Sequence, residues 1–259
     1  MIKLKDCKLK FVSRPRHYET ADGTWLNGVT TVCDMFPKFL LPWATRVNAD
    51  WAIGEFEKIE SDGGILREVT KSEIIDIIEQ SKTQYENIRD EAASKGTDAH
   101  FWISNYISGA LPVDIDDKNV RNCVGEFLKW EKQNNVGWIA SELMVCNLDI
   151  GIAGTLDAIA EVNGVVTLVD FKTNKAIYPQ SMYSQTAAYQ WCLEYQLEDL
   201  FQLPTERMIL RLPKDGSRFE AHKILSPLDV DKKMFKVALD MYNGTKHYKQ
   251  YSGEKKYGK

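Results

Sequence analysis

The stretch from Gly151 to Tyr189, GIAGTLDAIAEVNGVVTLVDFKTNKAIYPQSMYSQTAAY, decides how the rest of the chain is read. Its first half predicts a β-hairpin. AGTLDAIAEV and VVTLVDFKT are rich in apolar and β-branched residues, and Asn163-Gly164 between them is the strongest short hairpin signal a sequence carries. With Asn163-Gly164 as a two-residue turn, Val162 faces Val165, and counting outward Asp157 faces Asp170 on a non-hydrogen-bonded pair. Their Cβ atoms are then roughly 5 Å apart. Two carboxylates so placed repel each other unless something positive lies between them. Lys172, two residues beyond Asp170, points to the same face of its strand.

Two readings fit this constellation. One is a magnesium or manganese site, since both ions favour hard oxygen ligands, with the lysine orienting a water or stabilising developing charge. The other is a Lys172 salt bridge on a solvated hairpin, which is common on protein surfaces. The apolar run VVTLV before Asp170-Phe171-Lys172 favours the first, because these residues leave a buried strand.

GTLD, then DFKT, then a helix carrying QTAAY resembles the PD-(D/E)XK nuclease superfamily. Within it, the pattern is similar to the RecB-type exonuclease branch, which adds a Gln-x-x-x-Tyr motif after the catalytic lysine. That motif is Gln185 and Tyr189 here, spaced i, i+4 and so on one helix face. The resemblance implies a restriction-endonuclease-like α/β core, a mixed sheet with flanking helices and an N-terminal helical and β extension. It implies Asp157 and Asp170 as metal ligands, the carbonyl of Phe171 as a further ligand, and Lys172 as the residue that positions the attacking water. Gln185 and Tyr189 would hold the nucleic-acid strand or orient the lysine.

Two more residues enter through the same likeness. KGTDAHFW is similar to a Gly-x-x-x-His segment that supplies a metal ligand, here His100. Asp98, at i, i+2 from it, faces away on a helix. Glu142 in WIASELMVC matches a glutamate that precedes the Gly-x-x-Asp strand; a role near the metal and a plain edge-strand charge fit it equally.

Composition bounds what remains. A chain of 259 residues with 44% hydrophobic content can bury a substantial core. Its net charge of −4 gives no global basic signature of nucleic-acid binding, although metal-holding carboxylates contribute to the acidity. No apolar run approaches a membrane span, and MIKLKDCKLK lacks the apolar core of a signal peptide. A cytoplasmic protein is expected. Cys7, Cys33, Cys123, Cys146 and Cys192 have no CxxC or Cys/His spacing and read as reduced core residues. Some RecB-type relatives hold an iron–sulfur cluster on cysteines near the C-terminus. No cysteine follows Cys192, so no cluster is expected.

Residues 8–32 read as a small β unit around Ala21-Asp22-Gly23, similar to the opening of phage and mitochondrial single-strand exonucleases. Arg14, Arg16, His17, Lys38 and Arg46 either line a nucleic-acid path or are ordinary solvated residues. VTTVCDMF and LPWATRVNADWAIGEF predict helical pieces broken at Pro37 and Pro42. Thr70 to Glu73 has capping-box spacing. The helical pattern from Tyr85 is expected to break at Gly96. NVRNCVGEFLKWEKQ carries a buried stripe of Val120, Cys123, Phe127 and Trp130. ERMILRLP and RFEAHKIL predict a second hairpin around Lys214-Asp215-Gly216, and a C-terminal helix is expected to stop at Gly244. The lysine–tyrosine tail either follows a phosphate backbone or is a solvated end.

The division expected is an N-terminal β unit and helical arch over 1–95 and a nuclease core with C-terminal helix and basic tail over 96–259, the two forming one compact unit. The function expected is a metal-dependent DNA exonuclease in phage or bacterial recombination, repair or replication, using Mg2+ or Mn2+. Its partner is DNA that is single-stranded or has a free end, with a recombination or single-strand-binding protein alongside. The alternatives are a nuclease-fold accessory protein that binds without cleaving, and an endonuclease of the same superfamily.

Overall fold

The computed structural model describes residues 4–13, 16–36, 41–61, 65–66, 68–110, 114–197 and 203–251. The chain forms two compact units, Met1–Phe36 with Asp98–Lys259, and Pro37–Thr97. That division differs from a boundary near residue 95 because the first strands pair into the central sheet.

In chain order the elements begin with β1 (Lys10–Ser13), β2 (Arg16–Glu19) and β3 (Trp25–Gly28), an antiparallel meander that leads into α1 (Val29–Cys33). Next come α2 (Leu41–Ile59), the short ribbon of β4 (Glu60–Ser61) and β5 (Ile65–Leu66), α3 (Lys71–Ser81) and α4 (Gln84–Ile107). Pro42 does not break α2. It sits in the first turn, where the missing N–H costs no helical bond. Pro37 lies outside the described residues. Thr70 and Glu73 form the expected capping box on α3. Gly96 does not interrupt α4; it is buried, and Ala99 and Ile103 beyond it pack into the core. Packing there outweighs the roughly 1 kcal/mol that a mid-helix glycine costs.

The remaining elements are α5 (Lys118–Gln133), β6 (Val136–Asn147), β7 (Ile152–Val162), β8 (Val165–Lys172), α6 (Pro179–Gln196), β9 (Glu206–Arg211), β10 (Glu220–Lys223) and α7 (Leu228–Tyr251). The α5 stripe of Val120, Cys123, Phe127 and Trp130 is buried as its spacing predicts. β9 and β10 form the second hairpin. α7 runs through Gly244 to Tyr251 instead of stopping there; Tyr242 packs on the core just before it. Among the described residues no disulfide joins the cysteines, and no helix is long and apolar enough to cross a membrane.

The main sheet runs β1-β2-β3-β7-β8-β9-β10 with β6 on β7, eight strands among the described residues. It is a mixed α/β architecture. α6 carries the chain from β8 to β9, which pair in parallel. α1, α6 and α7 cover one face with Ile152, Leu156, Ile159 and Leu168 beneath them. α5 and the end of α4 cover the other, over Ala158, Ala160, Val169 and Phe171.

The hairpin register is the predicted one. Asn163 and Gly164 both have positive φ, 53° and 85°, as a two-residue turn requires. Val162 pairs with Val165, and the ladder continues to Ala158 and Val169. It ends there, one pair short of Asp157 and Asp170, which the same register sets opposite each other. The Phe171 N–H, next in line to reach β7, instead donates to the Asp157 carboxylate at 2.7 Å.

β7 is shared in an uneven way. β6 pairs along it from Ile152 to Val162. The other edge is taken by β8 over residues 158–162 and by β3, in parallel, at Ile152 and Ala153. Between these two partners lie residues 154–157, the GTLD motif.

Candidate active site

GTLD occupies the gap where β8 has left β7 and β3 has not yet joined it. A strand edge in such a gap frees its side chains and backbone for purposes other than a ladder. Opposite Asp157 on β6, Glu142 adopts φ +49°, a left-handed conformation that a non-glycine residue holds only when its surroundings impose it. β6 also carries an irregularity between Trp138 and Ala140. Through these distortions the carboxylates of Glu142 and Asp157 meet His100 from α4. One ligand atom from each lies within 4.8 Å of the other two. His100 Nδ1 is 3.5 Å from Asp157 Oδ1, and its ring stands edge-on to Phe171 at 5.9 Å.

Asp170 is not part of that group of three. It is 1% exposed, with Oδ2 2.6 Å from Lys172 Nζ. That ion pair is close, yet Oδ2 receives no well-directed hydrogen bond. Oδ1 accepts from Gln185 Nε2 at 3.2 Å, and the same amide donates to the Tyr189 hydroxyl at 3.2 Å. Gln185 and Tyr189 are 8% and 2% exposed. Within the folded chain these two residues hold the Asp170 carboxylate. Phe171 is buried against Phe127 and Trp138.

The charges are set by burial and by one another. Burial pushes the Asp170 carboxyl up to about 6, with Asp157 adding to the rise and Lys172 opposing it. Burial likewise raises Glu142, again reinforced by Asp157. For Asp157 the burial penalty is outweighed by His100, Lys172 and the Phe171 N–H, and the carboxyl is held below its usual range. Burial disfavours the cationic forms of His100 and Lys172, but Asp157 and Asp170 more than offset it and raise both. Three carboxylates, buried Asp170, half-buried Asp157 and exposed Glu142, thus compete for two cationic side chains. The carboxylate oxygens of Glu142 and Asp157 with the imidazole nitrogen of His100 are a donor set that fits a magnesium- or manganese-class ion.

Tyr18 and Thr155, which sequence reasoning did not single out, join the β meander to the motif by a 3.1 Å bond between their hydroxyls. The signal available was the position of Thr155 inside GTLD. Of the basic residues considered for a nucleic-acid path, Arg14 and Lys38 lie outside the described residues, as does the side chain of Arg16. His17 is buried and bonded to Glu19 at 2.6 Å, and Arg46 is exposed on α2 in the second unit.

No curated protein sequence matches the chain. A solved structure described as the crystal structure of SSO0001 aligns at 18% identity with a TM-score of 0.31, covering 46% of this chain and 56% of that one. The chain therefore spans little more than half the length of that protein. The family model described as the PD-(D/E)XK nuclease superfamily matches residues 64–252. Across most of its length, and through His100, Glu142, Asp157, Asp170, Lys172, Gln185 and Tyr189, the chain belongs to the PD-(D/E)XK nuclease superfamily.

Proposed function

We propose that the protein is a DNA exonuclease of the RecB-type branch, dependent on Mg2+ or Mn2+ and acting on single strands that offer a free end. The observation that carries this reading is the meeting of His100, Glu142 and Asp157 beside the Asp170–Lys172 pair. His100, Asp157 and Asp170 would hold the ion, with the carbonyl of Phe171 as a further ligand and Glu142 close enough to share in it. When bound, the ion supplies Lewis-acid chemistry, polarising the phosphodiester and lowering the pKa of water.

The chain's own residues do the rest. Lys172, kept cationic by Asp170, orients the attacking water and faces the charge that develops on the phosphoryl oxygens. Gln185 fixes the Asp170 carboxylate through one oxygen, leaving the other toward Lys172. Tyr189 anchors Gln185 in turn. Such a layered support keeps catalytic groups within a few tenths of an ångström of their working positions.

A free end is expected because no element among the described residues is built to read base sequence, which site-specific cutting requires. The setting is recombination, repair or replication in a bacterial or phage-infected cytoplasm, with a recombination or single-strand-binding protein as partner. The test compares linear with covalently closed circular single-stranded DNA, in Mg2+, Mn2+ and EDTA, with RNA as a further substrate. Loss of the linear strand only, and only with metal, is expected. Equal loss of the circle makes the enzyme an endonuclease and overturns the requirement for an end.

A further inference from the structure

All seven tryptophans lie among the described residues, and only Trp25 is exposed, at 58%. An indole left in water on a β-strand is the informative kind of exposure, because burial would have stabilised it by a few kcal/mol. Its mounting is rigid. Trp25 lies over His17 with ring centroids 3.9 Å apart. His17 is itself 5% exposed and bonded to Glu19, the residue paired with Trp25 across β2 and β3. The acidic side chain beside the indole is thus turned onto the imidazole.

Two residues along β3, and therefore on the same face, Asn27 accepts a hydrogen bond from Lys246 Nζ at 2.5 Å. Asn27 also donates to Asn243 at 3.2 Å. α7 in this way places an ammonium about 7 Å along the strand from the indole. β3 then runs into α1, whose Val29 packs against Gly154 of the GTLD gap. From Trp25 to Val29 is about 13 Å of extended chain. The meander is tied to the same motif by Tyr18 and Thr155.

We propose that Trp25 and Lys246 form a docking step for single-stranded nucleic acid outside the catalytic centre, Trp25 stacking an unpaired base and Lys246 taking the adjoining phosphate. The inference rests on the reading of the protein as a nuclease of single strands and adds where the strand lies. Stacking on an indole is indifferent to sequence, and a lysine takes phosphate as a point charge, so the step suits a processive, sequence-tolerant enzyme.

The test measures binding of a dye-labelled oligothymidylate in EDTA across a salt series, by fluorescence anisotropy, with cleavage of the same strand in Mg2+ measured in parallel. Trp25→Leu, which keeps an apolar side chain but no stacking face, is expected to bind about tenfold more weakly with the wild-type salt slope. Trp25→Phe is expected to stay within about threefold of wild type. Lys246→Gln, an exposed change independent of Trp25, is expected to reduce the slope of log K against log salt by about 0.7. Wild-type affinity in Trp25→Leu, or a wild-type slope in Lys246→Gln, overturns the docking step while cleavage by the wild type leaves the nuclease reading standing. A wild-type protein that neither binds nor cleaves the strand brings down both.

Discussion

The ring of Tyr189 lies where a side chain at position 154 would have to be: a Cβ on Gly154 would come within 2.6 Å of Tyr189 Cε1 and 3.3 Å of Val29 Cβ. The glycine of GTLD is therefore a packing requirement. It lets α6 approach β7 closely enough for Gln185 to reach Asp170.

Gly154→Ala must push Tyr189 aside, and with it Gln185. A loss of stability of about 1–3 kcal/mol is expected from the overpacking. Cleavage should fall by tenfold or more even where the protein remains folded. Thermal unfolding and turnover measured on the same preparation check this. Tyr189→Leu in the Gly154→Ala background should recover stability without recovering turnover, since the hydroxyl that anchors Gln185 stays missing. Full recovery of turnover in the double variant would show that the anchor is dispensable.

Asp157→Asn and Asp170→Asn should each abolish metal-dependent hydrolysis, by a hundredfold or more, with the circular-dichroism spectrum intact. A readout that needs no substrate is available. Saturating Mg2+ or Mn2+ should raise the unfolding temperature of the wild type, because a ligand that binds only the folded state stabilises it by mass action. The same ions should leave Asp157→Asn unmoved. Neither variant is expected to stabilise the metal-free protein. Asp170 is the close counter-ion of buried Lys172, and Asp157 supports both Lys172 and His100, so neutralising either removes attraction to a buried cation that outweighs relief of repulsion between carboxylates.

Lys172→Ala should separate chemistry from binding. Its role lies at the transition state, so turnover should drop by a hundredfold or more while affinity for a single strand changes by less than threefold. Single-turnover cleavage and anisotropy binding measure the two quantities. Parallel losses in both would mean that Lys172 serves the ground state.

His100→Ala should weaken metal binding and shift the Mn2+ concentration for half-maximal cleavage upward by about tenfold, with activity partly recovered at high Mn2+. Glu142→Gln should shift it in the same direction. An unchanged metal dependence in His100→Ala would return that residue to packing against Phe171.

Much of this architecture was legible in one dimension because the signals are local. Asn163-Gly164 specifies its own turn, and the two-residue period of a strand puts Lys172 beside Asp170. The i, i+4 spacing brings Gln185 to Tyr189, and the apolar stripe of α5 names its own buried face. Each of these depends on the geometry of a few consecutive residues. Gly96 and Gly244 misled for the same reason. A helix-breaking tendency of about 1 kcal/mol is readable locally, whereas the tertiary packing that overrides it is not.

What only the tertiary structure decided is the site itself. That β8 leaves β7 one pair before Asp157, and that β3 takes up the same edge from more than a hundred residues upstream, is a matter of strand pairing between distant segments. No periodicity encodes it. The left-handed backbone at Glu142, whose carboxylate lies by Asp157 and His100, is a conformation that no local propensity selects. Side-chain chemistry was present in the sequence from the start; the gap in the sheet that lets it converge is a property of the folded chain, because only there do β3, β7 and β8 compete for one edge.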